Sequence, residues 1–338
     1  MYLVIGSTNI LGAHTICTLL QKGLQVRAVK SDKSDMLRFK KIMGYYFSDS
    51  DNLYDEIDWM DGDPFDRESV MEVLDGVDYV FNCSIPLFFG LRKNEDMVAD
   101  SVQATALLVD CAIESGVKYF CHVSNVQALG EEPEMREITE DSPRDPKTKY
   151  TGFSQASFLC DMEVWRGFEE GLKGSILNTG LIIGPGDWTR DSSAIIHRIA
   201  KRFHFYTKGV TGFVGVKDVV RCMLSVAKQN ILKERFIVVS QCMSFAELLF
   251  IIADTLGVKR PNINASKFIL LIIKFIYRIR CIFTKKNPRL TDDYISLLIK
   301  FSLYSNNKSL NRIIAGYQPM EQVVKEICKL YKERDGKL

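Results

Sequence analysis

The first strand of this chain runs straight into a glycine turn, and that junction restricts the fold more than any other feature of its 338 residues. Tyr2–Ile5 is a short apolar run. Gly6-Ser7-Thr8-Asn9-Ile10-Leu11-Gly12 follows, and then Ile16, Leu19 and Leu20 keep helical spacing until Gly23. A strand that turns through glycine into a helix aims the unpaired N–H groups of the helix N-terminus at the strand's end. Such a turn suits a pyrophosphate, provided that no side chain blocks its approach. Gly6 and Gly12 meet that demand, and Ser7, Thr8, Ile10 and Leu11 fill the turn between them. Asn9 stands where a middle glycine would complete G-x-x-G-x-x-G, and asparagine tolerates the positive φ that glycine takes there. A plain tight turn is the alternative reading.

Alternation continues beyond the turn. Residues 25–29 read as a second strand and 57–60 as a third, with a polar, aromatic stretch at 35–55 holding a helix and a loop. Arg67–Leu74 is helical. Residues 77–82 and 119–123 are compact apolar runs of the kind buried on both faces of a parallel sheet. Helical spacing over 98–115 separates them, and 174–183 supplies a further strand. The expected class is α/β: a Rossmann-type doubly wound parallel sheet with right-handed crossovers and a smaller, mostly helical C-terminal lobe.

The end of the second strand bears on which nucleotide fits. An acid there holds a ribose 2′-hydroxyl, as in NAD, whereas a basic residue suits the 2′-phosphate of NADP. Here the residue is Lys30, with Arg27 before it and Lys33 after it, so NADP is favoured over NAD. Asp63, in Asp61-Gly62-Asp63 past the third strand, is placed either to accept from an adenine amine or to cap the helix beginning near Arg67.

Charge excludes other partners. The formal net charge is +2 and the basic residues are dispersed, which argues against nucleic acid. The nine cysteines stand singly without C-x-x-C pairs or Cys/His clusters, so no metal site is expected and a reducing cytoplasm is. Met1 leads directly into a strand, which gives no sign of a secretory signal. Residues 268–283 are mostly apolar but are interrupted by Lys274, Arg278 and Arg280. Their longest apolar run falls short of the ~18–20 residues that span a bilayer. The segment 267–286 reads either as an amphipathic helix covering the small lobe or as a helix lying on a membrane surface.

In order along the chain, the Gly6–Gly12 turn, Asp61-Gly62-Asp63, Val77-Asp78-Tyr79-Val80-Phe81-Asn82, Gly116-Val117-Lys118-Tyr119-Phe120, Gly184-Pro185-Gly186-Asp187, Gly215-Val216-Lys217-Asp218 and Gly316-Tyr317-Gln318-Pro319 resemble one family. That family is the extended short-chain dehydrogenase/reductases, known also as the NAD-dependent epimerase/dehydratase family. The C-terminal third is most similar to its dihydroflavonol-reductase and hydroxysteroid-dehydrogenase-like branch. The resemblance implies an NAD(P)-binding Rossmann domain over 1–185, to which part of 215–240 returns, and a substrate-binding lobe over 186–338. It implies cofactor contacts from the glycine turn, Lys30, Asp63, Cys83, Ser84 and Thr179. An unidentified small-molecule substrate would be met by loops at 86–92, 188–193 and 261–300. A homodimer would form through helices near 98–115 and 154–171.

The family's catalytic set is a serine, a tyrosine and a lysine four residues beyond the tyrosine. The lysine's ammonium lowers the pKa of a phenol that is otherwise a poor base at neutral pH. Here the serine position reads Asn125, with Ser124 one step earlier and on the opposite face of the strand. The tyrosine position reads Thr151 and the lysine position Gln155. Tyr150 lies one residue early, about 100° round the helix, and is the one residue that could rescue the chemistry. Two functions are open: a catalytically degenerate dinucleotide-binding protein, or an active NAD(P)-dependent oxidoreductase or epimerase that uses Tyr150.

Overall fold

A computed structural model describes residues 1–30, 35–48, 50–84, 94–130, 137–284 and 291–334. Its strands, in chain order, are β1 (Tyr2–Ile5), β2 (Val26–Lys30), β3 (Asp58–Asp61), β4 (Tyr79–Asn82), β5 (Tyr119–Asn125), β6 (Gly174–Thr179), β7 (Leu181–Ile183), β8 (Phe205–Tyr206), β9 (Val210–Gly215), β10 (Glu234–Val238), β11 (Gln241–Ser244) and β12 (Ile263–Asn264). Seven of them form one sheet in the order β10-β6-β5-β4-β1-β2-β3, with every pairing parallel. The strand order reverses between β1 and β4, which opens a crevice at the carboxyl ends of those strands.

Alternation along each strand builds two separate cores. Val4, Phe81, Cys121 and Leu177 pack with the helices Ile10–Gln21 and Val216–Lys228 on one face. Their neighbours Leu3, Val80, Phe120 and Ile176 pack on the other face with Arg67–Leu74, Asn94–Glu114 and Gly152–Glu169. Successive strand side chains point to opposite faces, so an apolar run such as Tyr119–Asn125, buried at every position, supplies both layers at once.

The expected single strand over 174–183 is two strands in different sheets. The chain leaves the main sheet at Gly180 and continues as β7, which joins β9 and β11 in a three-stranded sheet. A Cβ on Gly180 would sit 2.5 Å from the carbonyl oxygen of Gly212, so the close crossing of the two backbones depends on glycine. A further core lies beneath this small sheet, where Trp188, Phe245, Leu248, Val324 and Tyr331 are buried together. Trp188, expected in a substrate loop, is 3% exposed and belongs to that packing, and the buried Ser193 hydroxyl accepts from its amide at 3.2 Å.

His14 joins the first helix to the Gly184-Pro185-Gly186 segment. Its Nε2 lies 2.8 Å from the Pro185 carbonyl oxygen, which can only accept, so Nε2 carries the proton and Nδ1 accepts from the Tyr46 hydroxyl at 2.5 Å. Burial is the main cause that pushes its pKa down to about 4, so the ring is neutral in the fold near pH 7. Between pH 4 and 6.5 the unfolded chain binds more protons at this site than the folded one. Stability therefore rises with pH through that window and is fully present above 6.5. On that basis His14 should account for a loss of about 3 kcal/mol between pH 7 and 4. Denaturant unfolding across that range checks it, and His14→Gln should flatten the dependence.

Candidate functional site

A cleft of about 570 Å³ lies at the β1/β4 crevice. Gly6, Ser7, Thr8 and Asn9 form its centre. Lys30, Asp63 and Phe65 border one end, and Asn82, Ser84, His122, Ser124, Asn125 and Ser157 the other. Its volume falls within the usual range for a small-molecule site.

The glycine turn is built by close approach. Gly6 has φ +74°, in the left-handed region that favours glycine. A Cβ on Gly12 would lie 2.2 Å from the Gly6 carbonyl oxygen, so the helix begins against the turn itself. Asn9 serves differently from the expectation: its φ is −76° and ψ 170°, an extended N-cap rather than a left-handed residue. Its side chain accepts from the Gly12 amide at 2.8 Å and donates to the Cys83 carbonyl at 2.7 Å. With the third helical amide satisfied in this way, those of Ile10 and Leu11 remain as the helix-terminal donors for an anion. Ile10, Leu11 and Gly12 are themselves buried behind the turn, and the Ser7 hydroxyl donates to the Val29 carbonyl.

Around the cleft the remaining expectations separate. Lys30 borders it, with its ammonium 3.8 Å from the exposed Asp61 carboxylate. Arg27 is bound at the other end of the strand, to Asp58 at 2.7 Å and to the Val73 and Asp75 carbonyls, and Lys33 lies outside the described residues. Asp63 borders the cleft and accepts from the Phe65 amide at 2.9 Å. It does not cap the following helix: Asp66 does, accepting from Ser69 at 3.1 Å, because the helix starts one residue beyond Asp66. Ser84 borders the cleft and bonds to Asn82. Cys83 is fully buried behind the turn, and burial pushes its thiol up to about 12. Thr179 is buried too, donating to the Ser124 carbonyl at 3.0 Å. Residues 86–92 lie outside the described residues.

At the far end, Asn125 caps a short 3-10 helix, Val126–Ala128, accepting from the Gln127 amide at 2.9 Å. Ser124, expected to face away, also borders the cleft, because the strand gives way to this turn just beyond it. The buried hydroxyls of Ser124 and Ser157 have no hydrogen-bond partner among the described residues. Two orphaned hydroxyls on the cleft, together with a turn that a Cβ would fill, fit a polar ligand approaching the backbone closely.

A second cavity of about 260 Å³ begins where the first ends, bordered by Val126 and Gln127 and by Tyr150, Thr151 and Ser154. Residues Ser296, Leu297 and Lys300, in the region expected to meet substrate, border it as well. The Thr151 hydroxyl accepts from the Ser154 amide at 3.2 Å and so caps the helix Gly152–Glu169. Tyr150 accepts from the Asp145 amide at 3.0 Å, and the Arg144 guanidinium lies 3.6 Å above its ring centroid. Arg144 also donates to Gln155 at 3.3 Å, to the Ala128 carbonyl at 3.0 Å and to the Ser154 hydroxyl at 3.1 Å. Its charge rests on the face of the Tyr150 ring.

Arg144 and the buried polar chain beneath the cleft were not legible in the sequence. Asp161, with no exposed surface, accepts from Arg235 and Asn178, each at 2.9 Å. His122 Nε2 stands 3.6 Å from its other oxygen, and His122 Nδ1 is 3.1 Å from Asn82 Nδ2. Since an amide NH2 only donates, Nδ1 accepts and Nε2 carries the proton. Burial, the leading cause, lowers the His122 pKa, so the ring is neutral near pH 7. An Asp and a His inside otherwise apolar segments were the available signals.

The parallel sheet with its reversal of strand order, and the glycine turn opening on that crevice, define a Rossmann-class protein with an added lobe. The chain belongs to the NAD dependent epimerase/dehydratase family, whose model matches residues 2–239. It is 26% identical over 265 residues to sterol demethylase protein B of Methylococcus capsulatus, covering 77% of this chain and 76% of that one. The crystal structure of gox2253 superposes with a TM-score of 0.79 at 19% identity, over 99% of this chain and 98% of that one. The Bordetella bronchiseptica enzyme WbmH, in complex with NAD+, gives 0.72 at 14% identity, over 99% of each chain. At such identities the structures share the fold alone. No helix among the described residues is long and apolar enough to cross a membrane.

Proposed function

We propose that this chain binds a nicotinamide dinucleotide in the larger cleft, NADP in preference to NAD, and has lost the family's tyrosine–lysine proton transfer. One observation carries the reading: the residues at the two decisive positions are engaged in holding the fold. Thr151 caps its own helix and Gln155 is bound by Arg144, so neither supplies a phenol or an ammonium to a reacting atom. Gly6, Ser7, Thr8 and Asn9 would line the pyrophosphate, Lys30 the 2′-phosphate and Asp63 the adenine. Asn125, Ser124 and Ser157 would face the nicotinamide end. When bound, the nicotinamide supplies a centre that accepts or donates hydride.

A second reading is favoured by the place of Tyr150 on the second cavity. There the chain is an active NAD(P)-dependent oxidoreductase or epimerase whose Tyr150 donates or takes the proton. A relative that bears a sterol name supports an apolar, steroid-like substrate over a sugar nucleotide.

Fluorescence titration with NADPH and NADH, using Trp59, Trp165 and Trp188, separates the two when followed by hydride-transfer assays on ketosteroid, aldehyde and sugar-nucleotide panels. The expected result is binding without turnover. Lys30→Ala should weaken NADPH about tenfold, the equivalent of one charge-assisted contact, and leave NADH unchanged. Turnover that vanishes in Tyr150→Phe would overturn the first reading in favour of the second. Failure to bind either nucleotide would overturn both.

A further inference from the structure

Among its described side chains, residues 267–276, the helix Lys267–Thr284 is apolar on two sides, and one of them is covered. On the inner side Leu270 is 5% exposed and packs with Ala265, Ile295 and Leu298. On the outer side Phe268, Leu271, Ile272, Phe275 and Ile276 recur at intervals of three and four residues. Phe268 and Phe275 are 71% and 65% exposed, and the other three between 42% and 58%. At about 100° per residue the five fall within an arc of roughly 140° and form one continuous stripe. Soluble monomers seldom leave a contiguous apolar patch of this kind open to water.

The charge around the stripe selects its occupant. Over the helix itself, 267–284, the sequence has four lysines and arginines and no aspartate or glutamate. Lys267 and Lys274, seven residues apart, lie along one flank, and Lys274 pairs with Asp292 at 2.5 Å. A second copy docked stripe to stripe would bring two uniformly basic segments together against their repulsion. A neutral apolar groove would give the basic residues no counterpart. An anionic lipid surface satisfies both features: the acyl boundary takes the phenylalanines and the headgroups take the cations.

We infer that Lys267–Thr284 lies in the plane of an anionic membrane surface and docks the C-terminal lobe there. The helix packs through Leu298 on Asp292–Ile299, whose Ser296 and Leu297 border the second cavity. The docked lobe therefore forms one side of that cavity.

Co-sedimentation of the full chain with phosphatidylcholine vesicles, with and without phosphatidylserine, tests this. The chain should bind the phosphatidylserine vesicles, bind phosphatidylcholine alone at least about tenfold more weakly, and release in high salt. The triple variant Phe268→Ser, Phe275→Ser and Ile276→Ser should lose at least about tenfold in binding. Its thermal unfolding midpoint should stay close to that of the parent chain. Lys267→Glu should weaken binding in low salt only. Failure to bind phosphatidylserine vesicles would overturn the inference, as would binding that the serine variant retains. Equal binding to both vesicle types would remove the anionic requirement and overturn it too. A concentration-dependent dimer abolished by the serine substitutions would identify a second copy as the occupant instead.

Discussion

Alanine at position 12 should dismantle the nucleotide turn. A Cβ there would stand 2.2 Å from the Gly6 carbonyl oxygen, with the Gly6 carbonyl carbon at 2.8 Å and Ser7 Cα at 2.9 Å. These are backbone atoms, so no side-chain rotation relieves the clash, and the first helix must move away from β1. The expected cost is about 3 kcal/mol or more, at the upper end for overpacking a tight site. Moving the helix also breaks the Asn9–Gly12 cap and draws Asn9 from the Cys83 carbonyl. Nucleotide binding should disappear even where the variant still folds. Gly23→Ala is the control: Gly23 has φ +66° but nothing within 4 Å of an added Cβ, so only backbone strain of about 1 kcal/mol is expected. Urea unfolding of both variants checks the contrast. Equal costs would mean that close approach is not what requires glycine at position 12.

Asp161→Ala is expected to cost about 3 kcal/mol, because it strands a largely buried cation rather than because the ion pair is strong. Arg235 is 15% exposed in its side chain and donates to Asp161 at 2.9 Å, and Asn178 donates to the same oxygen. Removing the acid leaves both donors without that acceptor, and Arg235 has little water to replace it. It also withdraws the carboxylate that holds the His122 pKa up against burial, so the imidazole at the cleft should titrate lower still. Replacing both partners, with Asp161→Leu and Arg235→Met together, should recover most of the loss, since an apolar pair avoids desolvating two charges. Urea unfolding of Asp161→Leu, Arg235→Met and the double forms a complete cycle. A double variant as unstable as Asp161→Ala would show that the charges themselves, and not their imbalance, hold the helix Gly152–Glu169 to the sheet.

What the sequence by itself determined is local or periodic. Tyr2–Ile5, the glycine turn and the first helix are neighbours along the chain, and their pattern reports directly on the structure they form. The apolar runs at β4 and β5 mark strands covered on both faces, and parallel order follows because helices separate them. The substitutions at 151 and 155 were equally plain, since a missing phenol or ammonium is visible as a letter. Tertiary structure decided which of several competent groups is used and where it points. Asp66 and not Asp63 caps the helix, and Asn9 holds an extended cap where a left-handed turn residue was expected. Arg144 reaches Gln155 from eleven positions upstream, and Asp161 meets Arg235 across 74 residues. Such pairs follow from how strands are ordered and helices cross, and no periodicity within one segment records them. The same holds for the helix Lys267–Thr284: its apolar and basic letters allowed a covered or a surface-lying helix, and packing on one side alone left the Phe268–Ile276 stripe open.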